Sequence, residues 1–172
     1  MKSNLLKILI IVLFIGIHTG CDQITKVYAR NNLKGQGVIQ VVDNIFILNY
    51  VENKGAFLGL GSNWPLGIKI VLLMTMPVIF LIAMIIYSFK VQSMSYLQIF
   101  GFCSIIGGGL SNVFDRIFFN GYVTDFMNIG IGNIRSGIFN FADLSIMLGA
   151  GILMFFYIKM TNPRKETIGP QQ

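Results

Sequence analysis

The chain has 172 residues, of which 54% are hydrophobic and only 12% are charged, and its mean hydropathy is +0.70. Soluble domains carry about 25% charged residues, so this composition excludes an ordinary soluble enzyme and predicts one integral membrane domain. The formal net charge is +6, yet no basic run is interleaved with aromatic residues. We therefore predict no nucleic-acid partner, because basic residues at the ends of membrane helices meet lipid headgroups instead.

Cysteine and histidine are too few to build a common metal site. The single histidine, His18, excludes a zinc site made from paired histidines, and no HExxH motif is present. Cys21 lies near the predicted end of one helix and Cys103 lies inside another, which argues against a disulfide between them. We predict no metal and no cofactor.

The first apolar segment covers residues 5–20, long enough for a short membrane span. Its basic start, its apolar stretch and the run from His18 to Cys21 also resemble a lipoprotein signal that would end at Cys21. His18 is a poor residue at that place in such a signal, and three more apolar segments follow. We therefore interpret the segment as a retained transmembrane helix.

A polar segment then runs from residue 22 to residue 65. Residues 38–42 and 45–51 are rich in β-branched and aromatic side chains, and Asp43-Asn44 between them is a turn signal. Glycines punctuate the region. The pattern predicts a small β-sheet on the membrane surface, over about residues 35–64.

Three further apolar segments are long enough to span, by the rule of about 20 residues per crossing. They cover residues 66–89, with Pro77 inside, and residues 96–114 and 139–157. The fold class is therefore a membrane all-α bundle of four transmembrane helices with a small β-sheet, one domain over residues 1–160. Three glycines in the connection over residues 115–138 suggest a mobile loop, and residues 161–172 form a short polar tail.

Four spans place both termini on one side of the membrane, but the basic residues do not decide which side. The two sides carry equal numbers of lysines and arginines, so the positive-inside rule alone gives a tie. The terminal-side segments are much shorter and have the higher positive density, which favours cytoplasmic termini. The basic residues are Lys2, Lys7, Lys90, Lys159, Arg164 and Lys165 on the terminal side, and Lys26, Arg30, Lys34, Lys54, Arg116 and Arg135 on the other.

Polar residues near the membrane concentrate at one face, and two of them are aspartates, Asp125 and Asp143. Asp143 lies about four residues into its span, about 6 Å along the helix, where an ionisable group is a functional-site hypothesis. Two carboxyls at close range share one proton, so the pair can activate water against a peptide carbonyl. In the alternative, structural interpretation, Asp143 caps the fourth helix and Asp125 pairs with Arg135 or Arg116.

Other polar residues have simpler structural interpretations. Asp22 and Lys26 have the i, i+4 spacing of a helical ion pair, and Asp115 with Arg116 is typical of an ion-paired helix end. Asn112 and Asn140 are expected to bond nearby backbone or to orient carboxylates. A serine–histidine pair of Ser111 and His18 is conceivable, but no sequence signature supports it.

Five motifs in one order resemble a known family. Together they cover nearly the whole chain, and they resemble the lipoprotein signal peptidases (signal peptidase II), four-span aspartic proteases of the bacterial membrane. Each motif is weak alone, but five in order on four spans are highly specific. They are DQITK at residues 22–26, NKGAF at 53–57, GGLSNVFDR at 108–116, VTDF at 123–126 and FNFAD at 139–143.

The resemblance implies a site and a reaction. It assigns the catalytic dyad to Asp125 and Asp143. It implies removal of the signal peptide from prolipoproteins whose cysteine carries a diacylglyceryl group, by a cut just before that cysteine. Further positions match substrate-contacting, dyad-supporting or structural positions, namely Asn53, Gly55, Asn112, Arg116, Asn140 and Ala142, with Asp22, Lys26 and Asp115 as structural polar residues.

The resemblance also implies a location in the bacterial cytoplasmic (inner) membrane. It places both termini in the cytoplasm, and the dyad and the β-sheet at the outer, periplasmic face. The partners it implies are prolipoprotein substrates and membrane lipids, and a monomer would suffice.

Two departures from the family pattern stand out. Ser111 replaces the glycine before Asn112, a small-for-small change, and the segment after Asn53 is one alanine short. The shortened loop puts substrate contacts there in doubt, but not the dyad.

Two other functions would predict different sequence patterns. A small transporter or proton channel would use the aspartates as a relay and would place charges near the middle of spans. A purely structural subunit gives no reason for paired aspartates beside paired asparagines.

Overall fold

The computed structural model describes residues 2–43, 45–56 and 59–161. In that part of the chain, four helical stretches are long and apolar enough to cross a membrane. The elements in chain order are α1 (Lys2–Asn32), β1 (Ile39–Val42), β2 (Phe46–Asn53), α2 (Leu66–Lys69), a π-helical segment (Ile70–Thr75), α3 (Met76–Lys90), α4 (Tyr96–Phe118), β3 (Val123–Ile131), β4 (Ile134–Arg135) and α5 (Phe141–Thr161). The turn residue Asn44, Phe57 of the shortened loop and the tail over 162–172 lie outside the described residues.

Helix α1 is much longer than the predicted first span. It continues without a break through Cys21 to Asn32, so the segment interpreted as the start of a surface region is helical for its first three turns. At about 1.5 Å per residue, its 31 residues reach about 46 Å. The extra turns carry Asp22 and Lys26 into the protein interior, where both are fully buried.

The second span is a continuous helix with a widened middle. It consists of α2, the π-helical segment and α3, and Pro77 stands in the first turn of α3. Proline has no N–H to donate, and the turn before it opens so that Met76 N–H donates to the carbonyl of Val71, five residues back. The span packs against α4.

Small residues bring α4 and α5 close together. A Cβ added at Gly108 would lie 2.5 Å from the carbonyl oxygen of Ala142, and one at Gly149 would collide with the carbonyl of Gly101. Helix backbones in lipid approach this closely only where side chains are absent. At the start of α4, Ser95 and Gln98 form a reciprocal capping box.

The predicted sheet is present, and it is larger than expected. Four antiparallel strands lie in the order β1-β2-β3-β4. The connection interpreted as a mobile loop contains β3, which pairs along β2 and places Asp125 opposite Val51. The expectation of a loop was wrong. It rested on the glycines of this connection, whereas residues 123–129 lie in strand β3 and the first six of them are buried.

The sheet is attached to one end of the helix bundle. Ala29 and Leu33 at the end of α1 pack with Phe126, Met127 and Phe139 in one buried cluster. The opposite end is tied by Lys7, whose ammonium donates to the carbonyl of Val91. The start of α1 therefore lies at the far end from the sheet. Elsewhere along the helices, leucine, isoleucine and phenylalanine side chains are exposed as lipid-facing surface, and Cys21 and Cys103 are both free.

Candidate active site

Asp125 and Asp143 are brought to the same cavity by a strand and a helix. Asp125 lies in the middle of β3 and is 2% exposed. Asp143 lies in the first turn of α5. Both carboxylates line a cavity of about 510 Å³ whose other walls are largely apolar. Further lining residues come from the second span and α5 and include Leu72, Leu73, Pro77, Ile146 and Met147.

All four oxygens of these two carboxylates accept hydrogen bonds from uncharged donors. Asp125 accepts from the side-chain amides of Asn140 at 2.6 Å and Asn53 at 2.9 Å. Asp143 accepts from the side-chain amide of Asn112 at 3.1 Å and from the backbone N–H of Asn140 at 3.1 Å. Asn140 thus contacts both carboxylates.

Burial raises the pKa of Asp125 to about 7. Desolvation is the main cause, because a buried carboxylate loses the water that stabilises its charge. The hydrogen bond from Asn53 lowers the pKa, the negative charge of Asp143 raises it, and the bond from Asn140 lowers it again. A carboxyl in this position can hold a proton at neutral pH.

The structural alternative for Asp143 is correct in part. Asp143 and Asn140 exchange backbone and side-chain hydrogen bonds at the start of α5, since the N–H of Asp143 donates to Asn140 Oδ1 at 3.0 Å. This reciprocal pattern is a capping box. The same carboxylate therefore caps α5 and faces the cavity.

Arg116 and Arg135 have partners other than those the structural alternative named. Arg116 donates to the carbonyl oxygens of Gly55 at 2.9 Å and Asn112 at 3.4 Å, and Arg135 donates to the amide oxygen of Asn128. The Gly55 N–H in turn donates to Asn53 Oδ1 at 2.9 Å. Arg116 thus holds the loop after β2 against the end of α4, beside the cavity.

The three structural polar residues form a second, fully buried cluster. Lys26 lies 2.7 Å from Asp22, as its spacing predicts, and 3.2 Å from Asp115. Arg30 lies 3.6 Å from Asp115. The expectation that Asp115 pairs with Arg116 was wrong, because α1 extends far enough to bring Lys26 and Arg30 to it.

The cluster is connected directly to the two cavity carboxylates. The Lys26 ammonium donates to Asn112 Oδ1 at 2.8 Å, which leaves the Asn112 amide nitrogen directed at Asp143. Asp22 accepts from the backbone N–H of Ala142 at 2.8 Å and so holds the first turn of α5. The side chain of Ala142 is fully buried and makes its contribution through this backbone bond.

Sequence reasoning missed several members of this cluster. Gln23 donates to Asp115 at 2.9 Å, and the backbone N–H of Thr124 donates to the same carboxylate. Ser111, which the sequence marked as a departure from the family pattern and as a conceivable partner of His18, donates to Asp22 at 2.6 Å. The available signal was the spacing of Asp22, Lys26 and Arg30 at i, i+4 and i+8, which marks one face of a continuing helix.

Ser111 and His18 are not brought together. His18 bonds instead to the hydroxyls of Ser104 and Ser145, each at 3.0 Å, between three of the spans. Among the described residues, no group of three or more histidine, cysteine or acidic side chains is arranged to hold a metal ion.

The chain matches one protein family along most of its length. The sequence profile of the family described as Signal peptidase (SPase) II matches residues 10–159. A lipoprotein signal peptidase of Clostridium novyi is 34% identical over 139 residues, which are 80% of this chain and 90% of that protein. A lipoprotein signal peptidase of Chlorobaculum parvum is 37% identical over 153 residues, 83% of this chain and 91% of that protein.

Two solved structures share the fold. One, described as a bacterial membrane enzyme, superposes with a TM-score of 0.76 at 26% identity and covers 95% of this chain and 94% of its own. A second bacterial membrane enzyme has a TM-score of 0.70 at 24% identity, with 89% and 92% covered. With the family match and the four apolar helices, these findings identify the chain as a multi-pass membrane protease that belongs to the signal peptidase II family.

Proposed function

We propose that this chain is an aspartic endopeptidase that removes signal peptides from diacylglyceryl-modified prolipoproteins, cutting just before the lipidated cysteine. Relatives that carry the name lipoprotein signal peptidase support the substrate class. One observation supports the aspartic mechanism above all others. Two carboxylates line one largely apolar cavity, and neutral amide donors contact all four of their oxygens.

In the proposed reaction, Asp125 carries the proton and Asp143 is the base. Asp143 takes a proton from a water molecule as its oxygen attacks the scissile carbonyl, and Asp125 gives its proton to the carbonyl oxygen. When the tetrahedral intermediate collapses, the C–N bond breaks and the leaving amine takes the proton from Asp143. A hydroxyl of the intermediate returns its proton to Asp125 as the new carboxyl group forms, so both aspartates regain their starting states. The pKa of Asp125, raised to about 7, suits it to the role of acid at neutral pH.

The remaining site residues have supporting roles in this proposal. Asn140 and Asn112 hold the two carboxylates, and Asn53 holds Asp125 from the loop after β2. Arg116 and Gly55 shape that loop beside the cavity. The apolar wall of the cavity includes Leu72 and Met147. It suits the acyl chains of a substrate that is itself embedded in the bilayer.

The proposal includes topology and stoichiometry. The chain is one membrane domain in the bacterial cytoplasmic membrane, with both termini in the cytoplasm and the sheet and dyad at the outer face. Both aspartates of the proposed mechanism belong to one chain, so a monomer surrounded by membrane lipids would suffice as the working unit.

The test is cleavage of a diacylglyceryl-modified prolipoprotein by purified protein in detergent, with a chelator present. We expect wild type to release the signal peptide, with the cut before the modified cysteine when both products are weighed by mass spectrometry. Asp125→Asn and Asp143→Asn should each lose at least about 10²–10⁴-fold in rate, the usual contribution of a general acid or base. Asp43→Asn, which removes an exposed carboxylate, is the matched control and should keep full rate.

Two results would contradict the proposal. Retained cleavage by either dyad variant would remove that aspartate from the mechanism. Absence of cleavage by folded wild type would favour the transport alternative, which proton flux measurements in vesicles would then examine.

A further inference from the structure

A second cavity, of about 270 Å³, lies beside the dyad cavity and shares Leu73 and Arg116 with it. It is bordered by the start of the second span and by the turn after α4. Three basic side chains line it, and none of the described residues in its lining is acidic. The lining includes Lys54, Lys69, Arg116, Leu66, Ile70 and Tyr122.

Arg116 interacts electrostatically with Asp125 and Asp143 across the dyad cavity, but among the described residues none of the close contacts of the three basic groups is a carboxylate. Lys69 donates to the carbonyl of Ser62, and Arg116 donates to the carbonyls of Gly55 and Asn112. Lys54 lies over the ring of Tyr122, with 5.4 Å between its ammonium and the ring centroid. These partners are dipoles or π-systems rather than carboxylates.

Two basic residues in a neighbouring cavity, Arg30 and Lys34, do contact carboxylates. The cavity that contains Arg30 and Lys34 also contains Glu52, and the Lys34 ammonium lies 2.7 Å from that carboxylate. Arg30 lies 3.6 Å from Asp115. The cavity beside the dyad therefore differs from the cavity around Arg30 and Lys34, because no carboxylate of the described part of the chain lines it.

Arg116 also has one N–H donor without an acceptor. Its Nε is buried and has no hydrogen-bond partner among the described residues. A buried donor without a partner costs free energy, and a bound anion would satisfy it. Guanidinium and ammonium groups together form the usual partners of a phosphate, because they combine a planar fork with compact charge.

We propose that this cavity binds the headgroup phosphate of an anionic phospholipid. The cavity borders residue 66, where the second span begins, and residues 120–122, just after α4, so it lies at the depth of lipid headgroups. Leu66 and Ile70 provide an apolar wall for the first carbons of an acyl chain. A zwitterionic lipid brings its own cation to the three basic groups, so an anionic headgroup binds preferentially.

The only tryptophan of the chain, Trp64, lies two residues before Leu66 in the cavity wall and reports on it. Protein is reconstituted in phosphatidylcholine vesicles with increasing fractions of phosphatidylglycerol brominated near the headgroup, and Trp64 fluorescence is recorded. We expect saturating quenching at a several-fold lower mole fraction than with brominated phosphatidylcholine. Lys54→Gln combined with Lys69→Gln should abolish that preference, and Lys34→Gln, the ion-paired control, should keep it.

Single variants keep the test valid if the double variant does not fold. Lys54→Gln leaves the Ser62 contact of Lys69 in place and should still reduce the preference. Equal quenching by both lipids in wild type, or an unchanged preference in folded lysine variants, would overturn the proposal. Inorganic phosphate is titrated in detergent without lipid, and a saturable Trp64 response to it without any preference between lipids would overturn the lipid assignment.

Discussion

The protein contains two pairs of buried carboxylates that differ in their partners. Asp22 and Asp115 lie on either side of Lys26, and Arg30 is close to Asp115. Asp125 and Asp143 are as well supplied with hydrogen bonds, but the donors are neutral amides. A cation at contact distance neutralises the charge of a buried carboxylate, whereas desolvation and a neighbouring carboxylate raise the pKa of Asp125. The first pair therefore stabilises the fold, and the second is suited to proton transfer.

The two pairs are nevertheless parts of one network. Lys26 orients Asn112 towards Asp143, and Asp22 holds the N–H of Ala142 in the turn that carries Asp143. The neutralised pair thus positions Asp143, one of the two proposed catalytic residues. Substitutions in each pair, and in the contacts between the pairs, should show which residues determine the free energy of unfolding and which determine the cleavage rate.

The largest expected effect is on stability, from Lys26→Met. Loss of the cation leaves the buried Asp22 carboxylate uncompensated and Asp115 with Arg30 alone, and breaking a buried pair in this way typically costs about 3–5 kcal/mol of unfolding free energy. Unfolding in detergent, followed by circular dichroism, measures it. Asp22→Asn added to Lys26→Met should restore part of the loss, because it removes one uncompensated charge. If Asp143→Asn destabilises the protein as strongly as Lys26→Met, the distinction between the two pairs fails.

Asn112→Ala should reduce activity more than stability. It removes the contact that links Lys26 to Asp143, and misplacement of a catalytic group by about 1 Å can cost about 10²-fold in rate. Steady-state cleavage beside a melting curve separates the two effects. A variant with wild-type rate would show that Asp143 does not depend on the cluster.

Gly108→Ala tests the same connection through packing. The added methyl group would lie 2.5 Å from the carbonyl oxygen of Ala142, so α5 must shift. Overpacking of this kind typically costs about 1–3 kcal/mol, and the shift should also slow cleavage. Gly151→Ala is the matched control, because its Cβ would meet nothing within 4 Å. Equal behaviour of the two variants would exclude close helix approach as a requirement.

The smallest expected effect is a displacement of the pH profile. In the proposed mechanism Asp125 must carry a proton, and burial raises its pKa to about 7, so cleavage should fall as pH rises through about 7. The hydrogen bond from Asn53 lowers that pKa, so Asn53→Ala should move the falling limb to higher pH. Rates between pH 5 and 9 measure the limb, with Asn32→Ala, at the exposed end of α1, as control. A limb that moves to lower pH would contradict the role of Asp125 as acid.

The four-span bundle and the sheet could be predicted from the sequence, because both rest on local patterns of apolar residues. The length of α1 could not be predicted in the same way. Asp22, Lys26 and Arg30 make the later turns look like a polar surface segment, and only their mutual neutralisation inside the bundle explains why they are helical. Tertiary ion pairing overrode the hydropathy pattern.

For a related reason, some parts of the site could be predicted from the sequence and others could not. The two aspartates stood out because an acid at a membrane face is unusual, and the asparagines beside them were expected to orient carboxylates. The strand that carries Asp125 was not expected, since its pairing partner β2 is about 75 residues earlier in the chain. Asp115 was assigned to its sequence neighbour Arg116, whereas its partners come from α1.

The dyad cavity lies between the second span and α5, with Leu72 and Pro77 on one side and Ile146 and Met147 on the other. Those helices are apolar enough to lie in the bilayer, so under the proposed function an embedded substrate would reach the aspartates by sliding within its plane. Encounter is then a two-dimensional search. Its rate depends on the number of substrate molecules per unit area of membrane, and dilution of vesicles in buffer should leave it unchanged.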